Sequence, residues 1–184
     1  NGMHYANLTE YVSETETITR MAAEAPTGFV LQTGLAPGFI NILACSLYEK
    51  FSTRHGVDKV DQISMRVGAL TTHTREPHYY GFTWSPIGVA TEYMKPSLAI
   101  RNGEQVWLDA LSEREFMVID GTTYEADLTS GGAADLPDAF LNLAANLEYK
   151  TLRYPGHYSW VDGLKTKVET EHDPIQALED VMTS

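Results

Sequence analysis

Two short stretches of this chain carry most of its capacity for chemistry. Lys150, Arg153 and His157 fall within Tyr149-Lys150-Thr151-Leu152-Arg153-Tyr154-Pro155-Gly156-His157. A guanidinium is planar and grips a carboxylate through two parallel hydrogen bonds, which an ammonium cannot do, so Arg153 is a candidate anion-binding residue. Its competing reading is a long cation on a solvated strand face. Lys150 and Arg153 are an odd number of positions apart, so in a regular strand they point to opposite faces and do not share a site. His157 follows a Pro-Gly turn and is either a proton carrier or a turn residue satisfied by backbone. The other stretch is Gly34-Leu35-Ala36-Pro37-Gly38-Phe39, a glycine-containing turn between a strand pattern and a helix pattern. Such a turn is either a tight connection or a set of backbone N–H donors aimed at a ligand, with Gly34, Leu35, Pro37 and Gly38 as its binding positions.

Further candidates are weaker. Arg66 stands among alternating apolar residues, where a solvated cation is the ordinary explanation, with anion binding as the alternative. Trp84, Tyr79, Tyr80 and Tyr93 either line an apolar cleft or form core and subunit contacts. Ser130-Gly131-Gly132 is a loop or an anion cradle. His73 and His78 bracket Thr74-Arg75-Glu76-Pro77, but Pro77 interrupts any helical face and no Cys or carboxylate set completes a ligand shell, so no metal is expected. Cys45, the single cysteine, reads as helix packing because no partner His can be named.

The elements that must position these residues follow from periodicity. A strand-like stretch runs from Met3 to Leu8. Ser13-Glu14-Thr15-Glu16 has capping-box form, and Ile18, Met21, Ala22 and Ala25 continue a helix that ends near Pro26. A strand follows over residues 28–33, and Pro37 suits the first position of a helix striped by Ile40, Leu43, Ala44 and Leu47. This alternation typifies an α/β fold with a parallel sheet. From about residue 60 the pattern changes. Ile63, Met65 and Val67 alternate with Ser64, Arg66 and Gly68, and two hairpins turn at Asn102-Gly103 and Asp120-Gly121, which predicts a mixed, largely antiparallel sheet. Ser85-Pro86 opens a helix through Met94. Pro137 is predicted to open another that carries Phe140, Leu143, Ala144 and Leu147, with a strand over 149–154 behind it. Beyond His157 the chain is acidic and polar, with one helix at Ile175 to Met182 whose packing surface looks thin.

Composition narrows the function. The 184 residues carry 13 basic against 25 acidic side chains, a net charge of -12, and show no basic stripe, which argues against a nucleic-acid partner. Hydrophobic content of 43% and charged content of 21% match an ordinary soluble protein, with no apolar run of membrane-spanning length. A lone cysteine is compatible with a reducing compartment, and cytoplasm is the default. Asn1-Gly2-Met3 resembles neither a translation start nor a signal peptide, so an upstream segment is expected.

Taken in order, Met3-His4-Tyr5-Ala6-Asn7-Leu8-Thr9-Glu10, Gly34 to Phe39, Met65-Arg66-Val67-Gly68-Ala69-Leu70, Thr83-Trp84-Ser85, Glu92-Tyr93, Thr129-Ser130-Gly131-Gly132 and Tyr149 to His157 resemble successive blocks of the saccharopine dehydrogenase-like oxidoreductases, nearest in flavour to their lysine 6-dehydrogenase-like branch. The resemblance implies an N-terminal dinucleotide-binding domain followed by a mixed-sheet domain that closes the substrate cleft and pairs subunits. This chain has no Gly-x-Gly-x-x-Gly after a strand, the equipment that holds NAD or NADP.

On this resemblance the fold class is α/β, a Rossmann-like sheet remnant followed by a mixed, largely antiparallel sheet with helices on one face. Residues 1–33 would be the remnant, 34–157 the substrate-binding and dimerisation domain, and 158–184 a segment returning toward the nucleotide-binding domain. The implied function is the substrate-binding part of an NAD(P)-dependent oxidoreductase acting on the C–N bond of an amino acid or its secondary-amine adduct. The chain alone would be inactive and would not hold NAD or NADP tightly. His157 would be catalytic; Arg153, Arg66, Trp84 and Tyr80 would meet the substrate; Gly34, Leu35, Pro37 and Gly38 would meet the cofactor. A homodimer is expected, with a non-catalytic dimerisation module or a small acidic-ligand-binding protein as the rival readings.

Overall fold

The computed structural model describes residues 2–8, 12–82 and 84–184; Thr9 and Glu10 of the first resembling block, Thr83, and the residues just before the first helix lie outside this set. Strands and helices follow in the order β1 (Tyr5–Ala6), α1 (Val12–Ala22), β2 (Phe29–Val30), α2 (Phe39–His55), β3 (Val60–Val67), α3 (Pro86–Met94), β4 (Ser97–Arg101), β5 (Glu104–Leu108), β6 (Glu115–Ile119), β7 (Thr122–Leu128), α4 (Leu136–Ala139), β8 (Ala144–Arg153), α5 (His157–Val168) and α6 (Pro174–Thr183). This is a mixed α/β fold, with a two-stranded parallel sheet, β1-β2, and a six-stranded, largely antiparallel sheet in the order β5-β4-β8-β7-β6, to which β3 adds by pairing with β8. Two compact units divide the chain.

One unit takes the residues up to Met65 together with Leu98–Val106 and Gly131–Glu148. Its β1 and β2 pair in register, Tyr5 with Phe29 and Ala6 with Val30. Helix α2 begins later than Pro37 would allow. Gly38 is its N-cap at φ 135, where a Cβ would stand 2.7 Å from the Gln32 carbonyl oxygen and closer still to that of Gly34. The turn therefore needs glycine there, and Pro37 belongs to the turn rather than to the helix. The helix stops at Gly56, left-handed at φ 64. Much of α2 remains open, with Phe39, Ile42, Leu47 and Phe51 all exposed.

The expected helix behind Pro137 ends at Ala139, and Ala144 to Leu147 open β8 instead. Phe140, Leu143, Ala144 and Leu147 do have helical spacing. Strand pairing wins because β8 is central, flanked by β4 and β7, and is buried through most of its length. A strand covered on both faces loses the alternation that would have announced it. Asn146 reinforces the choice, since its side chain accepts from the Asn102 N–H at 3.1 Å and donates to the Asp61 carbonyl at 3.1 Å.

The second unit takes Arg66–Ser97, Trp107–Ser130 and Tyr149–Ser184. Its core gathers Val89, Ala90, Tyr93, Tyr158, Val161, Val168, Leu178 and Met182 from α3, α5 and α6. Ser85 caps α3 by accepting from the Gly88 N–H at 3.2 Å, with Pro86 in the first turn, as its sequence predicts. Helix α5 was not expected, although Tyr158, Val161 and Val168 recur at helical spacing and are buried. Helix α6 is better packed than its sequence suggests, since Leu178 and Met182 have no exposed surface. The hairpin β6-β7 turns at Asp120-Gly121 as expected. No helix among the described residues is long and apolar enough to cross a membrane.

Candidate functional site

The register of β7 on β8 decides which side chains meet. Glu125 pairs with Arg153, Asp127 with Thr151, and Leu128 with Lys150. Since directly opposed residues share a face, Arg153, Thr151, Glu125 and Asp127 line one side, while Lys150, Leu152, Ala126 and Leu128 line the other. All eight are buried. The opposition of Lys150 and Arg153 expected from their spacing is therefore realised.

On the first side, Arg153 sits at the end of β8 with 2% of its surface exposed. Its Nε donates to the Tyr93 hydroxyl at 2.8 Å, Nη1 donates to the Leu152 carbonyl at 3.0 Å, and Nη2 lies 3.9 Å from Glu92 Oε2. The guanidinium also lies 4.3 Å from the centre of the Tyr80 ring. Burial alone disfavours the cation, but the oxygens of Tyr93, Tyr158 and Tyr80, and then Glu92, more than offset it, so Arg153 stays charged. Cation–π contact with a desolvated aromatic face adds to this.

His157 opens α5 and is fully buried. Its Nδ1 lies 2.6 Å from the His78 carbonyl oxygen and its Nε2 2.9 Å from the Tyr93 hydroxyl. A carbonyl can only accept, so the proton is on Nδ1, and Nε2 accepts from Tyr93. Burial, reinforced by the Arg153 charge, lowers its pKa to about 3, and the imidazole is neutral. Tyr93 is the node of the cluster: its single oxygen accepts from Arg153 and donates to His157. Burial pushes its phenol above the ordinary range, which keeps that donor proton in place.

Around this line the packing is aromatic and closely bonded. The Tyr158 hydroxyl donates to the Thr151 carbonyl at 2.6 Å, and its N–H, in the first turn of α5, donates to the Glu125 carboxylate at 2.7 Å. A buried carboxylate at a helix N-terminus is favoured by the helix dipole. Trp84 Nε1 donates to the Tyr80 hydroxyl at 3.0 Å, and Trp84 is 37% exposed, which makes it the outermost member of the group. Lys165 donates to the Tyr93 carbonyl at 2.8 Å, tying α5 to the end of α3.

Of the residues expected to act, Arg153, His157, Tyr80 and Trp84 are thus brought together. Arg66 is not among them. Its Nη2 lies 2.6 Å from Glu115 Oε1, and Lys150 lies 3.5 Å from the other oxygen of that carboxylate, which places Arg66 on the Lys150 side of the sheet. Gly34, Leu35, Pro37 and Gly38 belong to the other compact unit. There the Phe39 N–H bonds to the Gly34 carbonyl at 2.8 Å, Ile40 to Leu35 at 3.0 Å, and Gly38 to the Asn41 side chain at 2.6 Å. Asn41 in turn donates to the Ala133 carbonyl at 2.9 Å, so the Gly131-Gly132 loop is pinned to the start of α2. The N–H groups of Gly38, Phe39 and Ile40 are thus bonded within the turn.

Sequence reasoning treated Tyr93 as wall or core and gave no role to Glu92, Tyr158 or Glu125. A signal existed for Tyr93. A tyrosine on the apolar face of a helix must satisfy its hydroxyl, and Arg153 and His157 were the polar groups most in need of a buried partner.

The comparisons with known proteins agree with this architecture. Residues 34–182 match the family described as saccharopine dehydrogenase C-terminal domain. The solved structure of apo saccharopine dehydrogenase (L-Glu forming) from Saccharomyces cerevisiae is similar at a TM-score of 0.63 and 15% identity, covering 97% of this chain and 47% of that one. The chain thus spans about half the length of that enzyme, and at this identity the likeness is one of fold. The chain belongs to the saccharopine dehydrogenase C-terminal domain family.

Proposed function

We propose that this chain is the substrate-binding part of an NAD(P)-dependent oxidoreductase acting on the C–N bond of an amino acid, such as lysine, or of its secondary-amine adduct. Family membership supports the saccharopine dehydrogenase-like setting. The observation that carries the reading to this site is Arg153, a buried guanidinium kept cationic and oriented by Tyr93 and Glu92 at the end of the central strand. A substrate bearing a carboxylate wants such a group, and desolvation strengthens the attraction. Trp84 and Tyr80 supply its apolar wall.

His157 is neutral and bonded at both nitrogens, so its part in this reading is to orient Tyr93 and Arg153. Hydride acceptance belongs to the nicotinamide, which a nucleotide-binding half would bring. Leu35, exposed at this chain's α2 turn, is the side chain proposed to meet it there. The protein as a whole is expected to work in the cytoplasm.

A second reading, homodimerisation, is favoured by β6. It is an edge strand whose Phe116 and Val118 are 65% and 68% exposed, and the unpaired backbone groups of an edge strand are a template for pairing with another chain. The two roles are compatible. The test is an assay for amino-acid-dependent reduction of NAD or NADP by the protein carrying a nucleotide-binding half, beside this chain alone. Activity in the first and none in the second is expected; turnover by the chain alone, or by neither across lysine and saccharopine, would overturn the reading.

A further inference from the structure

We propose that His78–Phe82 is a strap that covers Arg153 and is latched by His157, and that it must lift before a carboxylate can reach the guanidinium. The inference rests on the substrate reading of Arg153 given above and deepens it. The strap enters no helix or strand, and the segment before it, residues 72–77, is exposed throughout. Side chains fasten it instead. The Tyr80 ring covers one face of the Arg153 guanidinium at 4.3 Å, the His78 ring rests on Trp160 at 4.7 Å, and His157 Nδ1 donates to the His78 carbonyl at 2.6 Å.

Gly156 permits the closeness, because a Cβ there would stand 2.9 Å from the Tyr79 ring. Tyr80 belongs to the buried core cluster and Phe82 packs against it, so lifting the strap withdraws the Tyr80 ring from that cluster but breaks no strand ladder.

Coverage of Arg153 is what makes the strap consequential. Nε is bonded to Tyr93, Nη1 to the Leu152 carbonyl, and Tyr80 seals the face. A carboxylate can form its paired hydrogen bonds only after Tyr80 moves and the guanidinium turns. That turn is felt at the latch. The bonds run in one direction, from Arg153 N–H to the Tyr93 oxygen, from Tyr93 O–H to His157 Nε2, and from His157 Nδ1–H to the strap carbonyl. Drawing Arg153 toward a ligand weakens each successive bond.

The test is hydrogen exchange, read by mass spectrometry on the peptide containing residues 78–82, in the wild-type chain and in His157→Gln and His157→Asn. An asparagine amide N–H reaches the position of Nδ1 and keeps the latch, whereas glutamine reaches that of Nε2 and loses it. His157→Gln is expected to speed strap exchange by about tenfold and His157→Asn to stay within about threefold of wild type. Peptides from β6 and β7 report in each case that the fold is intact.

Glutarate, as a dicarboxylate probe, is expected to speed strap exchange in wild type and to have no effect in Arg153→Lys, which keeps the charge without the fork. Equal strap exchange in all three latch proteins, or strap exchange in wild type that glutarate leaves unchanged or slows, would overturn the proposal. A strap that responds in a protein without amine-dependent dinucleotide reduction would sink the proposed function and leave the lid standing. Activity with an unresponsive strap would do the reverse.

Discussion

Tyr93 serves two buried partners with one oxygen, and its removal isolates that role from packing. In Tyr93→Phe the ring stays, but Arg153 Nε and His157 Nε2 both lose their partner, and unsatisfied buried groups cost about 1–3 kcal/mol each. A fall in urea stability of that order is expected; an unchanged midpoint would show that the hydroxyl bonds contribute nothing. His157 adds a pH dependence whose sign follows from its depressed pKa. Between about 3 in the folded chain and the ordinary histidine value near 6.5, the unfolded chain binds the proton and the folded one does not. Stability from this group is therefore complete above that upper value and drains away as pH falls, by at most ~1.4 kcal/mol per pH unit. Urea denaturation from pH 4 to pH 7 should show a shallower loss in His157→Asn than in wild type, and parallel curves would contradict a buried neutral imidazole.

At the scale of elements, α6 earns its place by two residues. Leu178→Ala should cost about 2–5 kcal/mol, since Leu178 is fully buried in the cluster with α3 and α5, and thermal denaturation would reveal it. A cost near zero would mean that α6 is an appendage. Much of this organisation was legible in the sequence: both hairpins through Asn102-Gly103 and Asp120-Gly121, α3 through Ser85-Pro86, and the parallel start through the opening alternation. What was not legible had a physical cause. Strand β8 hid because burial on both faces erased its alternation, and the helical spacing from Phe140 to Leu147 outweighed it locally. Helix α5 hid because its apolar positions are separated by Asp162, Lys165 and Lys167, which face outward or bond backbone. The site was half legible. Arg153, His157, Tyr80 and Trp84 stood out as residue types, but the tyrosine that joins Arg153 to His157 is distant in sequence and becomes visible only when α3 lies against the end of β8.

For the molecule as a whole, the family places the chain, and the site locates within one compact unit the residues proposed to meet substrate. The proposed function rests on Arg153 gripping a substrate carboxylate while a nicotinamide takes the hydride. The direct test is steady-state kinetics of this chain joined to a nucleotide-binding half, wild type against Arg153→Lys. Lysine keeps the charge but cannot form the paired bonds, so the Michaelis constant is expected to rise by about tenfold or more, with subunit association unchanged. An unchanged Michaelis constant, or lost association as the only effect, would contradict it.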